Sequence, residues 1–161
     1  MSTPISPFSH NVRCRVCGLL KSPKGLLMIK HAGLGPLGYL WAPPGGGIEF
    51  GWSVEQALEQ EFLEETGLQI RVGEYLFANE YRDQTYHAIE LFFEVEAIGG
   101  VLQLGYDPEL PEHAQMIAEV AYLSDTEISA IPSAGKHNIF RECVIPSNIL
   151  GLRGFYRFAN N

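Results

Sequence analysis

Positive charge is scarce in this sequence, and long apolar runs are absent from it. Of its 161 residues, 11 are Lys or Arg and 19 are Asp or Glu, which gives a formal net charge of −8. Non-specific binding to nucleic acid depends on clustered positive charge, so we expect no nucleic-acid partner. No run approaches the length of a membrane-spanning helix, about 20 apolar residues, so we expect no membrane association either.

Cysteine and N-terminal positive charge are also rare. Met1 to His10 contains no Lys or Arg and no sustained apolar run, so we expect no secretory leader and a cytoplasmic location. Three cysteines fit a reducing compartment better than a disulfide framework. Cys14 and Cys17 form a C-x-x-C, but no second such pair completes a zinc site, so we interpret them as buried cysteines of a strand.

The length suits a single domain, and no internal repeat, low-complexity tract or interdomain linker divides it. A hydrophobic fraction of 46% and a charged fraction of 19% are typical of a soluble globular protein. Apolar runs bounded by turn residues predict strands over 11–20, 26–31, 69–72, 75–81 and 87–97. With the helix described next, these runs indicate one α/β domain.

The segment from Gly45 to Leu68 is interpreted as a glycine-rich loop that leads into a short acidic helix. Ser53 is a favourable N-cap and Gln56 can complete a capping box, which predicts a helix start at Val54. Gly67 stands where a left-handed residue ends a helix. Between these caps, apolar residues recur at helical spacing and predict a face packed on a core, formed by Val54, Ala57, Leu58 and Phe62.

Three carboxylates of this helix, Glu61, Glu64 and Glu65, fall on one patch of its surface. Like charges at this spacing repel, yet no Lys or Arg occurs from Ala42 to Ile70. A divalent cation such as Mg²⁺ prefers carboxylate oxygens and bridges proteins to substrate phosphates, so a metal site is one interpretation. A solvated acidic face with no ligand is the other.

The same residues resemble the Nudix box, the motif of the Nudix (MutT-like) hydrolase family. Aligned on Gly46, the chain matches the motif's later glutamates, its apolar positions and its second glycine, at Glu61, Phe62, Glu64, Glu65, Gly67 and Leu68. The resemblance covers about residues 12–130. It implies an α/β fold in which a mixed β-sheet lies between helices, and we expect residues 131–161 to pack on the same domain.

Two positions depart from the Nudix box: Trp52 replaces its first glutamate, and Gln60 replaces its arginine. In the family these two residues are usually interpreted as a salt bridge that holds the loop against the helix. Losing both members of an ion pair can be neutral, whereas losing one is costly. We therefore expect Trp52 to pack where the ion pair would have been, with the metal-binding glutamates intact.

The resemblance implies a function for each part of the site. Glu61, Glu64 and Glu65 would hold Mg²⁺ or Mn²⁺. The catalytic residue that takes the proton from the attacking water would be Glu61, Glu64 or a loop acid, with Glu112 as the first candidate and Glu109 as the second. An ordinary surface loop remains the alternative for Glu112 and Glu109.

Substrate contacts are expected from the glycines and from the turn after residue 81. Gly45, Gly46 and Gly47 would let the backbone approach the phosphates closely, and Arg82 and Tyr86 would line the cleft. The implied activity is metal-dependent cleavage of a phosphoanhydride in a nucleoside diphosphate linked to another moiety, with a nucleotide or nucleotide sugar as substrate. The alternative is an inactive Nudix-like module that binds or senses a nucleotide. Whether the chain forms a homodimer is left open.

Overall fold

A computed structural model describes residues 10–106, 108 and 110–160. In chain order the strands and helices are β1 (Val12–Leu19), β2 (Lys21–Ser22), β3 (Gly25–Ala32), β4 (Tyr39–Ala42), β5 (Gly45–Gly47), α1 (Val54–Thr66), β6 (Leu68–Arg82), β7 (His87–Gly100), β8 (Ile117–Leu123), α2 (Asp125–Ala130) and β9 (Gly154–Tyr156). Short 3-10 helices cover Glu112–Ala114, Ser133–Gly135, Asn138–Phe140 and Pro146–Gly151.

The larger sheet is mixed and has the strand order β5-β1-β7-β6-β9. β1 runs parallel to β7 and antiparallel to β5, and β6 runs antiparallel to β7 and parallel to β9. The stretches predicted as separate strands over 69–72 and 75–81 form one strand, β6, with irregular register at residues 72–77. This sheet places β5 at one edge, beside the start of α1.

The smaller sheet is antiparallel and is built around β3, which pairs with β2, β4 and β8. A hairpin turns between Ser22 and Gly25, but its first arm is only Lys21–Ser22. Most of the first predicted strand instead lies in the larger sheet, because β1 pairs with β7 from a distant part of the sequence. The two sheets are joined where the Gly18 N–H donates to the Pro44 carbonyl at 3.0 Å.

Two apolar clusters cover opposite faces of the strands. One cluster contains the helix residues Ala57, Leu58 and Phe62, packed with Val16, Leu20, Leu27, Leu68, Ile70 and Val95. The other contains Ile128 of α2 and residues of the last segment, packed with Cys17, Leu19, Leu26, Met28, Phe77 and Phe92. Helical segments therefore lie on both sides of the sheets. No helix among the described residues is long and apolar enough to cross a membrane.

The two cysteines of the C-x-x-C face opposite sides of the sheet, because they are three residues apart in β1. Cys17 is buried in the second half of the strand, whereas Cys14 is exposed in the first half, where Val12 is also exposed. The interpretation of both as buried was therefore wrong for Cys14. Burial raises the pKa of the Cys17 thiol well above its usual range, so this cysteine remains protonated.

Candidate active site

Helix α1 is set by the local chemistry of its two ends. The Ser53 side chain accepts the Gln56 N–H at 3.1 Å, and the Gln56 side chain accepts the Ser53 N–H at 3.0 Å, so the predicted capping box is present. At the other end Gly67 has a φ of 73° and donates its N–H to the Leu63 carbonyl. The helix therefore spans the predicted residues and carries the acids on its last two turns.

The last turn of α1 is also held by the extended segment after β7. Tyr106 N–H donates to the Glu64 carbonyl and Gln103 N–H donates to the Thr66 carbonyl, each at 3.0 Å. Gly105 lies so close to the helix that a Cβ there would stand 2.1 Å from the Glu65 carbonyl oxygen. Carbonyls that lack helical partners are thus satisfied, and the backbone that carries Glu64 and Glu65 is fixed.

The three glycines before the helix form strand β5 and not the predicted loop. Gly45, Gly46 and Gly47 pair antiparallel with residues 15–17 of β1. A Cβ on Gly45 would stand 2.2 Å from the Val16 carbonyl oxygen, and one on Gly46 would stand 2.1 Å from Glu61 Oε1. Glycine is therefore required by close approach: at Gly45 to the neighbouring strand and at Gly46 to a helix carboxylate.

The Glu65 carboxylate is buried against β5 and only half satisfied. Oε1 accepts the Gly45 N–H at 3.2 Å, whereas buried Oε2 has no donor among the described residues. Burial, followed by the charge of neighbouring Glu61, raises the pKa of Glu65 well above its ordinary value. The Glu61 carboxyl is within hydrogen-bonding reach, but two acids share such a bond only if one holds a proton. The acid pair Glu61–Glu65 therefore needs a proton or a cation.

A hard divalent cation fits this acid pair. The pair offers carboxylate oxygens, one of them buried without a partner among the described residues, and the edge strand β5 approaches it without side chains. Glu64 has a different contact, since its Oε1 accepts a hydrogen bond from the Gln60 amide. Within the described part of the chain, no three His, Cys, Asp or Glu side chains are arranged to hold a metal. The structure therefore brings together two of the three predicted metal ligands.

A comparison with known protein families identifies the family of this chain. The model of the NUDIX domain family matches residues 11–138. The chain belongs to the Nudix family. An ADP-ribose pyrophosphatase from Methanocaldococcus jannaschii is 35% identical over 99 residues, which are 60% of this chain and 58% of that protein. A nucleoside triphosphatase, NudI, from Escherichia coli is 36% identical over 78 residues, 46% of this chain and 55% of that protein.

The chain thus spans a little over half the length of these curated Nudix relatives. Among solved structures, a NUDIX hydrolase from Nitrosomonas europaea has a TM-score of 0.71 at 18% identity and covers 89% of this chain and 93% of that one. A MutT protein from Methanosarcina mazei has a TM-score of 0.66 at 17% identity, covering 86% and 92%. The predicted Nudix fold and family membership are confirmed.

The two departures from the Nudix box face a common groove of about 320 Å³ on the outer side of α1. Trp52 is 46% exposed, and Gln60 bonds to Glu64. Trp52 therefore does not show the close packing that we expected of a side chain that replaces the ion pair. The helix is held instead by β5 and by the segment after β7. The groove is lined by Trp52, Gln56, Glu59, Gln60, Leu63, Gln69 and Ile70.

The predicted substrate residues Arg82 and Tyr86 lie at the turn between β6 and β7, and both are exposed. Asp83 fixes this turn, because its Oδ1 accepts the Tyr86 N–H at 2.7 Å. Arg82 pairs with His87, which in turn pairs with Val12 of β1. Val12 comes three residues before Arg15, or about 10 Å along the strand. The turn therefore stands apart from the acid pair, and substrate contacts by Arg82 and Tyr86 remain a prediction.

Glu112, the first predicted loop acid, is not grouped with the acid pair. Glu112 is exposed in the 3-10 helix Glu112–Ala114, and it forms no three-acid cluster with Glu61 and Glu65. Glu109 lies outside the described residues. A catalytic function for Glu112 therefore remains a prediction.

A buried polar network near the acid pair was not predicted from the sequence. Glu90 of β7 is 1% exposed and receives donors from three directions. Arg15 Nη1 lies 3.4 Å from its Oε2, and Asn79 Nδ2 lies 3.1 Å from its Oε1. His137 Nε2 lies 3.0 and 3.1 Å from the two oxygens. A glutamate within the apolar run of β7 was the available signal, because ionised side chains are rarely buried alone.

The hydrogen bonds of His137 define the tautomer of its neutral ring. Its Nδ1 accepts the Ile139 N–H at 3.2 Å, so in the neutral ring the proton is on Nε2 and is donated to Glu90. Burial alone would raise the pKa of Glu90, but His137 and Arg15 hold it below its ordinary value. Glu90 is therefore an ionised structural acid, and His137 has no free nitrogen to act as a base.

Proposed function

We propose that this Nudix protein hydrolyses the phosphoanhydride bond of a nucleoside diphosphate linked to another moiety, in a reaction that requires a divalent cation. The observation that carries the proposal is the buried carboxylate of Glu65, which has Glu61 as its neighbour and one oxygen without a donor in the part of the chain that the structure describes. Two relatives named as an ADP-ribose pyrophosphatase and a nucleoside triphosphatase support the same class of reaction.

Glu61 and Glu65 are the proposed ligands of Mg²⁺ or Mn²⁺. Glu64, whose Oε1 accepts a hydrogen bond from the Gln60 amide, would be the third ligand. When bound, the cation supplies neutralisation of phosphate charge and an activated water. The chain keeps Glu65 in place through the Gly45 N–H, at 3.2 Å. Among the described residues β5 is an edge strand, so a backbone N–H on its outer side that is not already bonded can donate to a phosphate oxygen.

Proton removal from the attacking water is assigned to one of three acids. Glu61 and Glu64 are half-buried on α1, and Glu112 is exposed on the segment after β7. The catalytic base must be ionised to accept a proton, so its replacement by Gln removes the acidic limb of the pH–rate profile. Arg82 and Tyr86 are proposed to contact the part of the substrate that extends beyond the phosphates.

The test is phosphate release from a panel of nucleotides and nucleotide sugars with Mg²⁺ or Mn²⁺. Glu64→Gln and Glu65→Gln are compared with Glu59→Gln, an exposed acid of the same helix. We expect the first two variants to lose about 100-fold or more of the turnover, because charge at the reaction centre is lost. Glu59→Gln should stay within about twofold, since surface changes have small effects. Full turnover in Glu65→Gln would refute the metal assignment.

A module that binds nucleotides without cleaving them is the competing function. It is motivated by Trp52 and Gln60, which replace the charged pair of the Nudix box. This function predicts tight nucleotide binding with no turnover for any member of the panel. A domain with neither function predicts no shift of its melting temperature on adding Mg²⁺ or nucleotide.

A further inference from the structure

Arg15 is a cation beside the acid pair, and its hydrogen-bonding capacity is only partly used. Its Nη1 lies 3.4 Å from Glu90 Oε2 and its Nη2 lies 3.5 Å from the Gly45 carbonyl oxygen, both long for such bonds. Its Nε is buried and has no acceptor within the described ranges. A guanidinium carries five N–H donors, so Arg15 retains donors for a further anionic partner.

The position of Arg15 is fixed by groups that do not depend on it. Glu90 is held by Asn79 and by the Nε2–H of His137, each within 3.1 Å. The buried Asn79 amide also donates to Asn138 Oδ1 at 3.1 Å. Glu90 therefore has a defined orientation and in turn determines where the Arg15 guanidinium lies. Such an arginine loses little side-chain entropy when a ligand binds.

One residue, Gly45, connects Arg15 to the proposed metal ligands. The Gly45 N–H donates to Glu65 Oε1, and the Gly45 carbonyl accepts from Arg15. Burial by itself lowers the pKa of Arg15, but the surrounding carboxylates, including Glu65 and Glu61, raise it above its ordinary value. If a bound cation neutralised the acid pair, the positive charge of Arg15 would be available to an anionic ligand. About a third of the Arg15 side chain, 31%, is exposed and can meet a ligand.

We propose that Arg15 binds a phosphate group of the substrate and acts as a second positive centre beside the acid pair. This inference rests on the proposed function, because it concerns the same site. A guanidinium pairs with a phosphate through two parallel N–H bonds, a geometry that a lysine cannot reproduce. Glu90, Asn79 and His137 are then positioning residues for Arg15.

Inorganic pyrophosphate is the probe, and its binding is measured by calorimetry. The wild-type protein is tested with Mg²⁺, and a Glu65→Gln background is tested with a chelator. We expect Arg15→Lys to weaken pyrophosphate binding about 10- to 100-fold in both settings, as the loss of charge-assisted hydrogen bonds implies. Arg71→Lys is the matched control, because Arg71 is exposed and pairs with Glu96 at 2.9 Å. Equal affinities of Arg15→Lys and wild type would overturn the inference.

A double variant separates a phosphate ligand from a simple counterion of Glu90. The variant that combines Arg15→Met with Glu90→Gln removes both charges. Removing both members of a buried ion pair costs less stability than removing one of them. We expect the double variant to recover the melting temperature that Arg15→Met alone loses. We also expect its pyrophosphate affinity to remain about 10- to 100-fold below that of wild type. Recovery of that affinity would show that Arg15 is only a counterion.

The substrate panel distinguishes failure of this inference from failure of the proposed function. A protein that binds pyrophosphate through Arg15 but hydrolyses no nucleotide keeps the inference and loses the hydrolase function. A protein that hydrolyses nucleotides with the same KM in wild type and Arg15→Lys loses the inference alone. The expected result is turnover in which Arg15→Lys raises KM more than it lowers kcat.

Discussion

Glu65 and Glu90 are both buried glutamates, and the protein surrounds them in opposite ways. Glu90 lies within a sheet and receives donors from neighbouring strands and from the last segment of the chain, supplied by Arg15, Asn79 and His137. Glu65 lies at the sheet edge, receives one N–H from Gly45 and has another acid as its neighbour. The pKa of Glu90 is lowered despite burial, and that of Glu65 is raised mainly by burial.

The difference shows for which of the two buried glutamates the folded chain supplies hydrogen-bonding and ionic partners. The folded chain supplies every partner that Glu90 needs, so its charge contributes to stability. The chain leaves Glu65 Oε2 without a donor among the described residues, so we expect ionised Glu65 to destabilise the protein when no cation is bound. A buried acid that the fold leaves incomplete is therefore the better indication of a ligand.

Glu65→Gln should give the largest effect. We expect turnover to fall by about 1000-fold, because a proposed metal ligand is lost. We also expect the metal-free protein to gain stability, since the Gln amide can donate a hydrogen bond to Glu61, whereas the Glu65 carboxylate repels it. The gain should be about 1 kcal/mol, or 2 to 4 °C in Tm, with the Mg²⁺-induced shift abolished. A lower Tm in the metal-free variant would contradict the contrast with Glu90.

Glu90→Gln should act in the reverse direction. Removing one member of a buried ion pair leaves Arg15 uncompensated, so we expect a loss of about 3 kcal/mol in the free energy of unfolding. Urea titration measures the loss. Glu94→Gln, an exposed acid four residues along β7, is the control and should stay within about 0.5 kcal/mol. Equal stabilities of the two variants would refute the structural function of Glu90.

The pH dependence of stability should separate the two acids. Folding raises the pKa of Glu65 above the ordinary 4.5, so stability of the metal-free protein falls as pH rises from there to the raised pKa. Folding lowers the pKa of Glu90, so its contribution is lost as pH falls below 4.5. Each slope is at most about 1.4 kcal/mol per pH unit. Chemical denaturation in a chelator should show Glu65→Gln removing the first slope and Glu90→Gln the second.

Trp52→Glu with Gln60→Arg should give the smallest effect. This double variant restores the charged pair of the Nudix box at the border of an open groove, where Trp52 is 46% exposed. Exposed ion pairs contribute little, so we expect a change below about 1 kcal/mol in stability and below about threefold in turnover. A large rise in activity from Trp52→Glu alone would show that the missing acid is catalytic.

Helix α1 was predictable from sequence because its boundaries depend on neighbouring residues. The capping box of Ser53 and the left-handed Gly67 are local interactions, and both occur as predicted. The burial of the helix stripe followed from its spacing in the same way. Family membership and fold class also followed from this segment, since the Nudix box is contained in it.

The polar network was not predictable because its partners are distant in sequence. Arg15 and Glu90 are 75 residues apart, and Glu90 and His137 are 47 apart. Arg15 and Glu90 meet because β1 and β7 pair in parallel, which no local pattern indicates. Strand β5 was missed for a related reason, because glycine has a low strand propensity and only the close approach of β1 makes it a strand.

The two backbone groups of Gly45 give this site an internal spectroscopic reporter. Its N–H touches the incomplete acid and its carbonyl touches the arginine held by the complete one. We therefore expect the amide proton of Gly45 to change its resonance frequency if added Mg²⁺ binds at Glu65. The carbonyl carbon of Gly45 reports the other contact, because its oxygen accepts from the guanidinium Nη2 of Arg15. Isotope labels on the nitrogen and the carbonyl carbon of this one glycine thus record both halves of the site in one experiment.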